Sequence, residues 1–180
     1  MSTLARCWIL AVLLLVPTVA SAQERGDVGV FMGYPNLGFI WHVSDKIAIR
    51  PEIDFSFSDN EIDSSFGNSS DATSWNVEFG ASALLYLNSA DRLRTYVAPQ
   101  FSYARASTDS GSNILGGLVG NTYGFAGLFG AQYSLNDRFS VFGELGLGYS
   151  HISSESDLTG RTGTSSNVSL RRGVGVILYF

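Results

Sequence analysis

The pair of residues best suited to covalent chemistry is a histidine followed, two positions later, by a serine. His151 and Ser153 lie on one face of an extended segment together with Tyr149. A histidine beside a serine can take the hydroxyl proton and make the oxygen nucleophilic toward an acyl group, given an acid that orients the ring. Glu155 is the nearest acid but is not clearly placed for that role. We favour an ordinary strand-end histidine, and we expect His42, which has no evident partner, to be structural.

A second group consists of eight polar side chains that share the less apolar face of predicted strands. They are Arg50, Glu52, Asp54, Glu78, Arg94, Gln100, Glu144 and Arg171. Charges inside a narrow, poorly hydrated interior must be paired, because unpaired burial of a charge is costly. The sequence therefore favours a salt-bridge network that fills the interior. The alternative is a narrow path for an ion or solute, gated by an exchange of partners.

A third group is acidic and lies between two predicted strands. Asp59, Glu61, Asp63 and Asp71 could hold a divalent cation, but their spacing does not match a calcium-binding loop. We favour a solvated loop and predict no metal site. Glycine pairs such as Gly146 and Gly148 lie within strand pattern and not between a strand and a helix, so no nucleotide site and no cofactor are predicted.

Composition limits the class of protein. The chain has 180 residues, which predicts one domain, and only 15% of them are charged. Glycine contributes 20 residues, aromatics 13% of the chain, and the formal net charge is −5. These values exclude a disordered tail protein and a basic nucleic-acid binder. Hydrophobic residues make up 45% while the mean hydropathy is only slightly positive, so the apolar residues are dispersed rather than gathered into helical spans.

The first 22 residues are predicted to be a cleaved signal peptide. Arg6 precedes an apolar run from Trp8 to Val16, and Ala20-Ser21-Ala22 supplies the small residues of a cleavage site before Gln23. The single cysteine, Cys7, lies in this leader, so residues 23–180 carry no thiol and no disulfide. We therefore expect an exported, acidic domain spanning 23–180.

Alternation of apolar and polar residues predicts eight strands. The clearest places Ile47, Ile49, Ile53, Phe55 and Phe57 on one face. The eight runs are Val28 to Tyr34, Leu37 to Val43, Ile47 to Phe57, Trp75 to Leu85, Val97 to Tyr103, Tyr123 to Tyr133, Phe139 to Tyr149 and Leu170 to Phe180. The first two are shorter than the 9–11 residues that a tilted membrane strand needs.

The connections alternate in length. The turns at 44–46, 88–92 and 135–138 are short, whereas 59–73, 108–121 and 153–167 are predicted as long, solvated loops rich in Ser, Gly, Asn, Asp and Thr. Such alternation is expected when one end of a barrel faces the periplasm and the other faces outside. The turn Pro35-Asn36 departs from this rule.

The apolar face is predicted to contact lipid. The opposite face is dominated by Gly, Ala and Ser, which suits the narrow interior of an eight-stranded barrel. Aromatic residues of the apolar face cluster at the strand ends, as interfacial girdles do. The predicted girdles comprise Phe57, Trp75, Tyr103, Tyr123 and Tyr149 toward the long loops, and Trp41, Tyr133, Phe139 and Phe180 toward the short turns. A soluble lipocalin-like or streptavidin-like barrel is the alternative.

These features resemble the small outer-membrane β-barrels of the OmpA/OmpX type. The resemblance covers residues 23–180 and rests on the leader, the eight strands, the alternating connections and the last strand, which ends at Phe180. It implies an all-β, eight-stranded antiparallel transmembrane up-and-down barrel in the bacterial outer membrane. It also implies recognition of the last strand, with Phe180 as its end, by the barrel assembly machinery, and contact with outer-membrane lipid and lipopolysaccharide.

Three functions remain open at this point. The favoured one is a structural or surface-interaction role through the long loops, in a monomer that has a porin-like scaffold and is not an enzyme. A narrow ion or solute channel is the second. The third is a hydrolase that uses His151 and Ser153, because the segment is similar to the His-x-Ser-Asn motif of outer-membrane lipid A deacylases, although Ser154 stands where that family has Asn.

Overall fold

In a computed structural model of the chain, the described residues are 26–63, 69–90, 92–109, 117–156 and 160–180. The side chains of 60–63, 69–72 and 89–90 lie outside this description. The predicted leader, residues 1–22, also lies outside the described residues, so its cleavage stays a prediction.

Eight antiparallel strands form one closed ring in chain order, β1-β2-β3-β4-β5-β6-β7-β8, and β8 pairs with β1. Their bounds are β1 Val28–Tyr34, β2 Leu37–Ser44, β3 Ile47–Asp63, β4 Ser69–Ala90, β5 Leu93–Asp109, β6 Leu118–Ser134, β7 Phe139–Ser156 and β8 Thr162–Tyr179. The predicted all-β, eight-stranded antiparallel barrel is confirmed. In the described ranges, no helix is long and apolar enough to cross a membrane.

The period-two pattern of each strand separates an interior face from an exterior face. In β3, Ala48 and Arg50 are buried, whereas Ile49 and Ile53 are exposed on the outside. The same parity holds around the ring and produces an exterior apolar belt. Large exposed side chains of this belt include Met32, Phe39, Phe55, Phe79, Phe101, Phe125, Phe129, Leu145, Leu147, Leu170 and Val174.

The strands are longer than predicted at the end where the long connections lie. Much of the predicted loops 59–73, 108–121 and 153–167 is strand: β3 continues to Asp63, β5 to Asp109 and β7 to Ser156. The prediction of long irregular loops is therefore wrong. The polar composition of these segments excluded them from an apolar belt, but it did not prevent the ladder of backbone hydrogen bonds from continuing beyond that belt.

The first hairpin is much shorter than the others. β1 and β2 turn back at Tyr34-Pro35-Asn36, where the Tyr34-Pro35 peptide bond is cis and the Gly33 amide donates to the Asn36 carbonyl at 2.9 Å. At the end of the barrel with the long hairpins, pairing between β2 and β3 stops at Leu37 and Ile53. Pairing between β1 and β8 stops at Tyr34 and Val174. β3 and β8 extend well beyond this level.

Candidate functional site

An ion pair between opposite walls occupies the middle of the barrel interior. Arg50 of β3 donates from Nη1 to Glu144 Oε1 of β7 at 2.7 Å, and from Nη2 to Glu144 Oε2 at 3.1 Å. Only 2% of the Arg50 side chain and 5% of the Glu144 side chain are exposed. The pair is bidentate, the strongest geometry for an arginine and a carboxylate. It therefore links two walls that are 94 residues apart in the chain.

Neutral groups complete the shell of this ion pair. Arg50 Nε donates to Ser82 Oγ at 3.1 Å, and the Tyr96 hydroxyl donates to Glu144 Oε1 at 2.7 Å. The guanidinium also lies over the rings of Phe31 and Phe142, with its carbon 5.2 Å and 5.6 Å from their centroids. Both charges are thus hydrogen-bonded as well as paired, which offsets the cost of removing them from water.

A second carboxylate lies next to the pair, toward the long hairpins. Glu52 accepts a hydrogen bond from Asn36 Nδ2 at 2.9 Å and another from Gln100 Nε2. These residues, with Glu78 and Arg171, line a cavity of about 50 Å³. That volume has room for a few water molecules.

A separate cluster fills the interior at the end with the short turns. The Tyr86 hydroxyl donates to Gln132 Oε1 at 3.1 Å, and Gln132 Nε2 donates to the Tyr179 hydroxyl at 3.1 Å. His42 Nε2 lies 3.2 Å from the same hydroxyl, and its ring stacks on Tyr86 with centroids 5.6 Å apart. The expectation that His42 has no partner is therefore wrong. Its partners come from β4 and β8, which the sequence alone does not bring together.

The eight polar residues predicted for the interior do not form a single network. Arg94 belongs to the end with the short turns, where its guanidinium lies 3.8 Å from the Tyr86 ring centroid and donates to the Asp45 carbonyl. Asp54 is half-buried and pairs in register with Glu78. The predicted network of salt bridges is instead a central ion pair with Glu52 beside it, held by hydrogen bonds from neutral side chains.

Sequence reasoning missed the interior aromatic residues. Tyr86, Tyr96, Phe142 and Tyr179 are buried, although they interrupt faces that otherwise carry small or polar residues. The sequence did contain a signal for this position, since each of these residues falls on the interior face when its strand is read with a period of two. Their size explains the glycines near them: a methyl group at Gly130 would lie 2.4 Å from the Tyr96 ring.

The candidate hydrolytic pair does not come together. His151 Nδ1 lies 3.1 Å from Ser166 Oγ of β8, and the Tyr149 hydroxyl donates to the same oxygen at 3.0 Å. Within the described part of the chain, the hydrogen bond of His151 thus goes to Ser166 and not to Ser153. Glu155 is exposed, two residues further along β7 than Ser153.

Ser153 instead lines a polar recess formed by β5, β6, β7 and β8 beyond the apolar belt. We call this the outer recess; it has a volume of about 290 Å³ and is lined by Arg105, Val119, Asn121, Ser153, Ser154, Glu155 and Thr162. The Tyr103 hydroxyl, at the border of the belt, donates to Asn121 Oδ1 at 2.9 Å. The recess therefore begins just above the aromatic residues of that wall.

The residues predicted for the girdles lie on the exterior or at its edge. Trp41, Phe57, Trp75, Tyr123, Tyr133 and Tyr149 are exposed, and Tyr103 and Phe139 are half-buried. Tyr103 packs against Tyr123 with ring centroids 5.2 Å apart. Phe180 is exposed, and its amide donates to the Val28 carbonyl at 3.1 Å, which ties the end of β8 to β1.

The predicted acidic cluster is only partly within the described residues. Asp59 accepts a hydrogen bond from Thr73 Oγ1 at 3.3 Å. The backbones of Glu61 and Asp71 pair across β3 and β4, while the side chains of Glu61, Asp63 and Asp71 lie outside the description.

The fold has relatives among solved structures. A crystal structure of a major outer membrane protein from Thermus thermophilus matches with a TM-score of 0.52 at 15% sequence identity, covering 86% of this chain and 98% of that chain. The chain shares the fold of that protein. Crystal structures of CarO and CarO2 from Acinetobacter baumannii match with TM-scores of 0.40 and 0.39 at 13% identity, covering 89% and 88% of this chain and 100% of each of theirs.

No family model and no curated protein matches the sequence. At 15% identity, the likeness to the Thermus protein shows the architecture and not the activity.

Proposed function

We propose that this chain is a bacterial outer-membrane barrel of the small, OmpA/OmpX-like kind, with a structural and surface-interaction role. The observation that carries the proposal is the combination of an interior filled by side chains with three polar hairpins that project beyond the apolar belt. These extensions comprise Ser58 to Asp63, Ala104 to Asp109 and Ser150 to Ser156, with their partner strands. At this strand length they rise roughly 15 Å above the belt.

The outer recess is the surface that we assign to this interaction. It lies on the exterior of the wall, directly above aromatic residues that border the belt. In the membrane orientation proposed here, aromatic residues lie at the interface, so the recess would face lipopolysaccharide phosphates and sugars. Arg105 contributes a cationic group, Glu155 contributes a carboxylate, and Asn121, Ser153 and Thr162 contribute neutral hydrogen-bonding groups. Arginine suits the recognition of phosphate oxygens.

Replacing Arg105 by alanine should weaken binding of purified lipopolysaccharide to the refolded barrel about fivefold, since one arginine near an anionic surface contributes about 1 kcal/mol. Microscale thermophoresis in a neutral detergent measures the affinity. Arg92→Ala, which removes an exposed arginine at the opposite end of the barrel, is the matched control and should change nothing. Equal affinities for the wild type and Arg105→Ala would contradict a role of the outer recess in binding.

A second prediction separates this role from the channel alternative. In a planar bilayer of neutral lipid, the wild-type barrel should give no stable single-channel events, because the hydrogen-bonded side chains of Arg50, Glu144 and Tyr96 cross the interior. Insertion is verified by recovering the protein from the same vesicles. Steps of constant conductance that change in Glu144→Ala would favour a channel.

Four further inferences complete the proposal. We infer that residues 1–22 direct export and that Phe180 ends the strand which the assembly machinery recognises. We also infer that the chain is a monomer and that it has no enzymatic activity. The hydrogen bond of His151 to Ser166 rather than to Ser153 supports the inference that it is not a hydrolase. Unchanged lipid A on overexpression is the expected result, and deacylation that is lost in Ser153→Ala would contradict it.

A further inference from the structure

The short first hairpin leaves an opening in the barrel wall. At the end with the long hairpins, the edge of β3 that faces β2 has no described partner after Ile53. The edge of β8 that faces β1 likewise has no described partner for the residues that precede Val174. Where β1 and β2 are present, β3 and β8 are separated by three interstrand spacings, roughly 14 Å along the wall. We call the space between these two strand edges the side opening.

The side opening starts within the apolar belt. On β3, the exterior residues Phe55 and Phe57 lie beyond the level of the first hairpin, and on β8 Leu170 and Val168 do so. All four are more than 60% exposed, so apolar side chains border the opening on both edges. Backbone groups on a strand edge at this depth require polar partners, because hydrocarbon supplies none.

Two arginines and the central cavity meet at the opening. Arg172 lies on the exterior face of β8 between Leu170 and Val174, and Arg171 points into the interior, where the absence of side chains at Gly148 and Gly124 leaves room for it. The buried Nε of Arg171 has no hydrogen-bond partner among the described residues. Neither arginine forms an ion pair with a described carboxylate.

The cavity connects these groups to the turn of the short hairpin. Its lining includes Arg171, Arg172, Tyr34, Pro35 and Asn36. Glu52, Glu78 and the paired Arg50 and Glu144 line the same cavity, so a ligand carboxylate fits only on the side of Arg171 and Arg172. A volume of about 50 Å³ accommodates a carboxylate group. An arginine on a lipid-facing surface is costly unless an anionic oxygen or water reaches it.

We propose that the side opening binds a long-chain carboxylate, a fatty acid, drawn from the membrane. Its carboxylate lies at Arg171 and Arg172, and its acyl chain leaves between the two edges over Phe55 and Leu170. The proposal rests on the membrane location given above but concerns a different surface from the outer recess. It uses two features that the barrel does not otherwise explain, an interior arginine that forms no ion pair with a described residue and an exterior arginine within an apolar belt.

Single-tryptophan reporters test the site. In a Trp41→Phe, Trp75→Phe background of residues 23–180, Phe55→Trp places a tryptophan at the edge of the opening. Phe125→Trp places one on β6, at a corresponding position below the outer girdle but away from the opening. Each variant is refolded into neutral phosphatidylcholine vesicles that contain a few mole per cent of a brominated fatty acid at alkaline pH, or of brominated phosphatidylcholine, and quenching is measured.

The brominated fatty acid should quench the Phe55→Trp reporter more strongly than the Phe125→Trp reporter, with a local enrichment of roughly fivefold or more. Brominated phosphatidylcholine should quench both reporters alike. Adding Arg171→Gln and Arg172→Gln should abolish the preference for the fatty acid, whereas adding Arg92→Gln, at the end with the short turns, should leave it in place.

Equal quenching of the two reporters by the fatty acid would overturn the proposal, and so would a preference that survives loss of both arginines. If brominated phosphatidylcholine also quenched the Phe55→Trp reporter more strongly, an anionic ligand would be rejected. If the stronger quenching disappeared when the protein was diluted in lipid, the opening would be assigned to a second copy of the chain. Flotation of the vesicles distinguishes failure of the fatty-acid site from failure of the proposed membrane location. A chain that does not float with lipid contradicts the proposed membrane location itself.

Discussion

Replacing Glu144 by alanine should lower the free energy of unfolding by about 3–5 kcal/mol, the largest effect expected from loss of a single side-chain partner in this barrel. The substitution leaves the Arg50 guanidinium buried, without its bidentate acceptor, and it also removes the acceptor of the Tyr96 hydroxyl. Reversible urea unfolding of the refolded barrel in lipid vesicles measures the change.

Two controls determine whether the cost comes from the unpaired charge. The double variant Arg50→Met, Glu144→Met removes both charges and should recover much of the loss, because apolar replacement of a buried pair is often close to neutral. Glu155→Ala removes an exposed carboxylate from the same strand and should change stability by less than about 0.5 kcal/mol. If Glu144→Ala is no less stable than Glu155→Ala, the two walls are not joined by this ion pair.

Replacing Gly146 by alanine should destabilise the barrel by about 3 kcal/mol, at the upper end of the usual cost of overpacking. The added methyl group would lie 2.1 Å from the carbonyl oxygen of Gly127 and 2.8 Å from the Cα atom of Leu128. Both atoms belong to the backbone of β6, so the strands themselves must move. The same urea unfolding experiment applies.

Gly143 provides the matched control on the same strand. A methyl group there meets no atom within 4 Å, so Gly143→Ala should be neutral or slightly stabilising. The difference between the two variants therefore isolates close packing inside the ring from the general preference of strands against glycine. Equal stabilities for Gly146→Ala and Gly143→Ala would show that β6 and β7 are not packed as closely as the structure has them.

Alternation in the sequence was enough to predict the ring and the orientation of its faces. Ile49 and Ile53 on the exterior and Arg50 in the interior follow from a period of two, and the other strands obey the same rule. Closure of the ring follows because strand edges without partners are costly in lipid, and it holds except beyond the first hairpin, where β3 and β8 are not joined. Pattern also placed Glu52, Gln100 and Glu144 on the interior face.

Partners across the interior could not be predicted from pattern. The contact of Arg50 with Glu144 depends on how far each strand is staggered around the ring, and a strand's own residues do not encode that stagger. For the same reason the sequence does not pair His42 with Tyr179, and it associates His151 with Ser153 instead of Ser166. Alternation along a strand shows which face of the barrel a side chain occupies, but only the register between strands shows which side chains it contacts.

The ends of the strands were the other part that could not be predicted. The residues from Ser58 to Asp63 are mostly polar, so alternation of hydropathy stops at the border of the belt while the backbone ladder continues. The strands of the short first hairpin were not predicted too long, because Pro35-Asn36 marks the turn between them directly. Its consequence, an opening between β3 and β8, is visible only when the ring is assembled.

Electrophoretic mobility tests whether the chain forms a closed barrel whose exterior belt faces lipid. Residues 23–180 are refolded in detergent, run with and without boiling, and compared by far-ultraviolet circular dichroism. We expect a β-type spectrum and an unboiled band that migrates differently from the boiled one, because the closed ring resists the denaturing detergent until it is heated. A chain that folds in water without detergent and shows one mobility would contradict the assignment of the apolar belt to lipid.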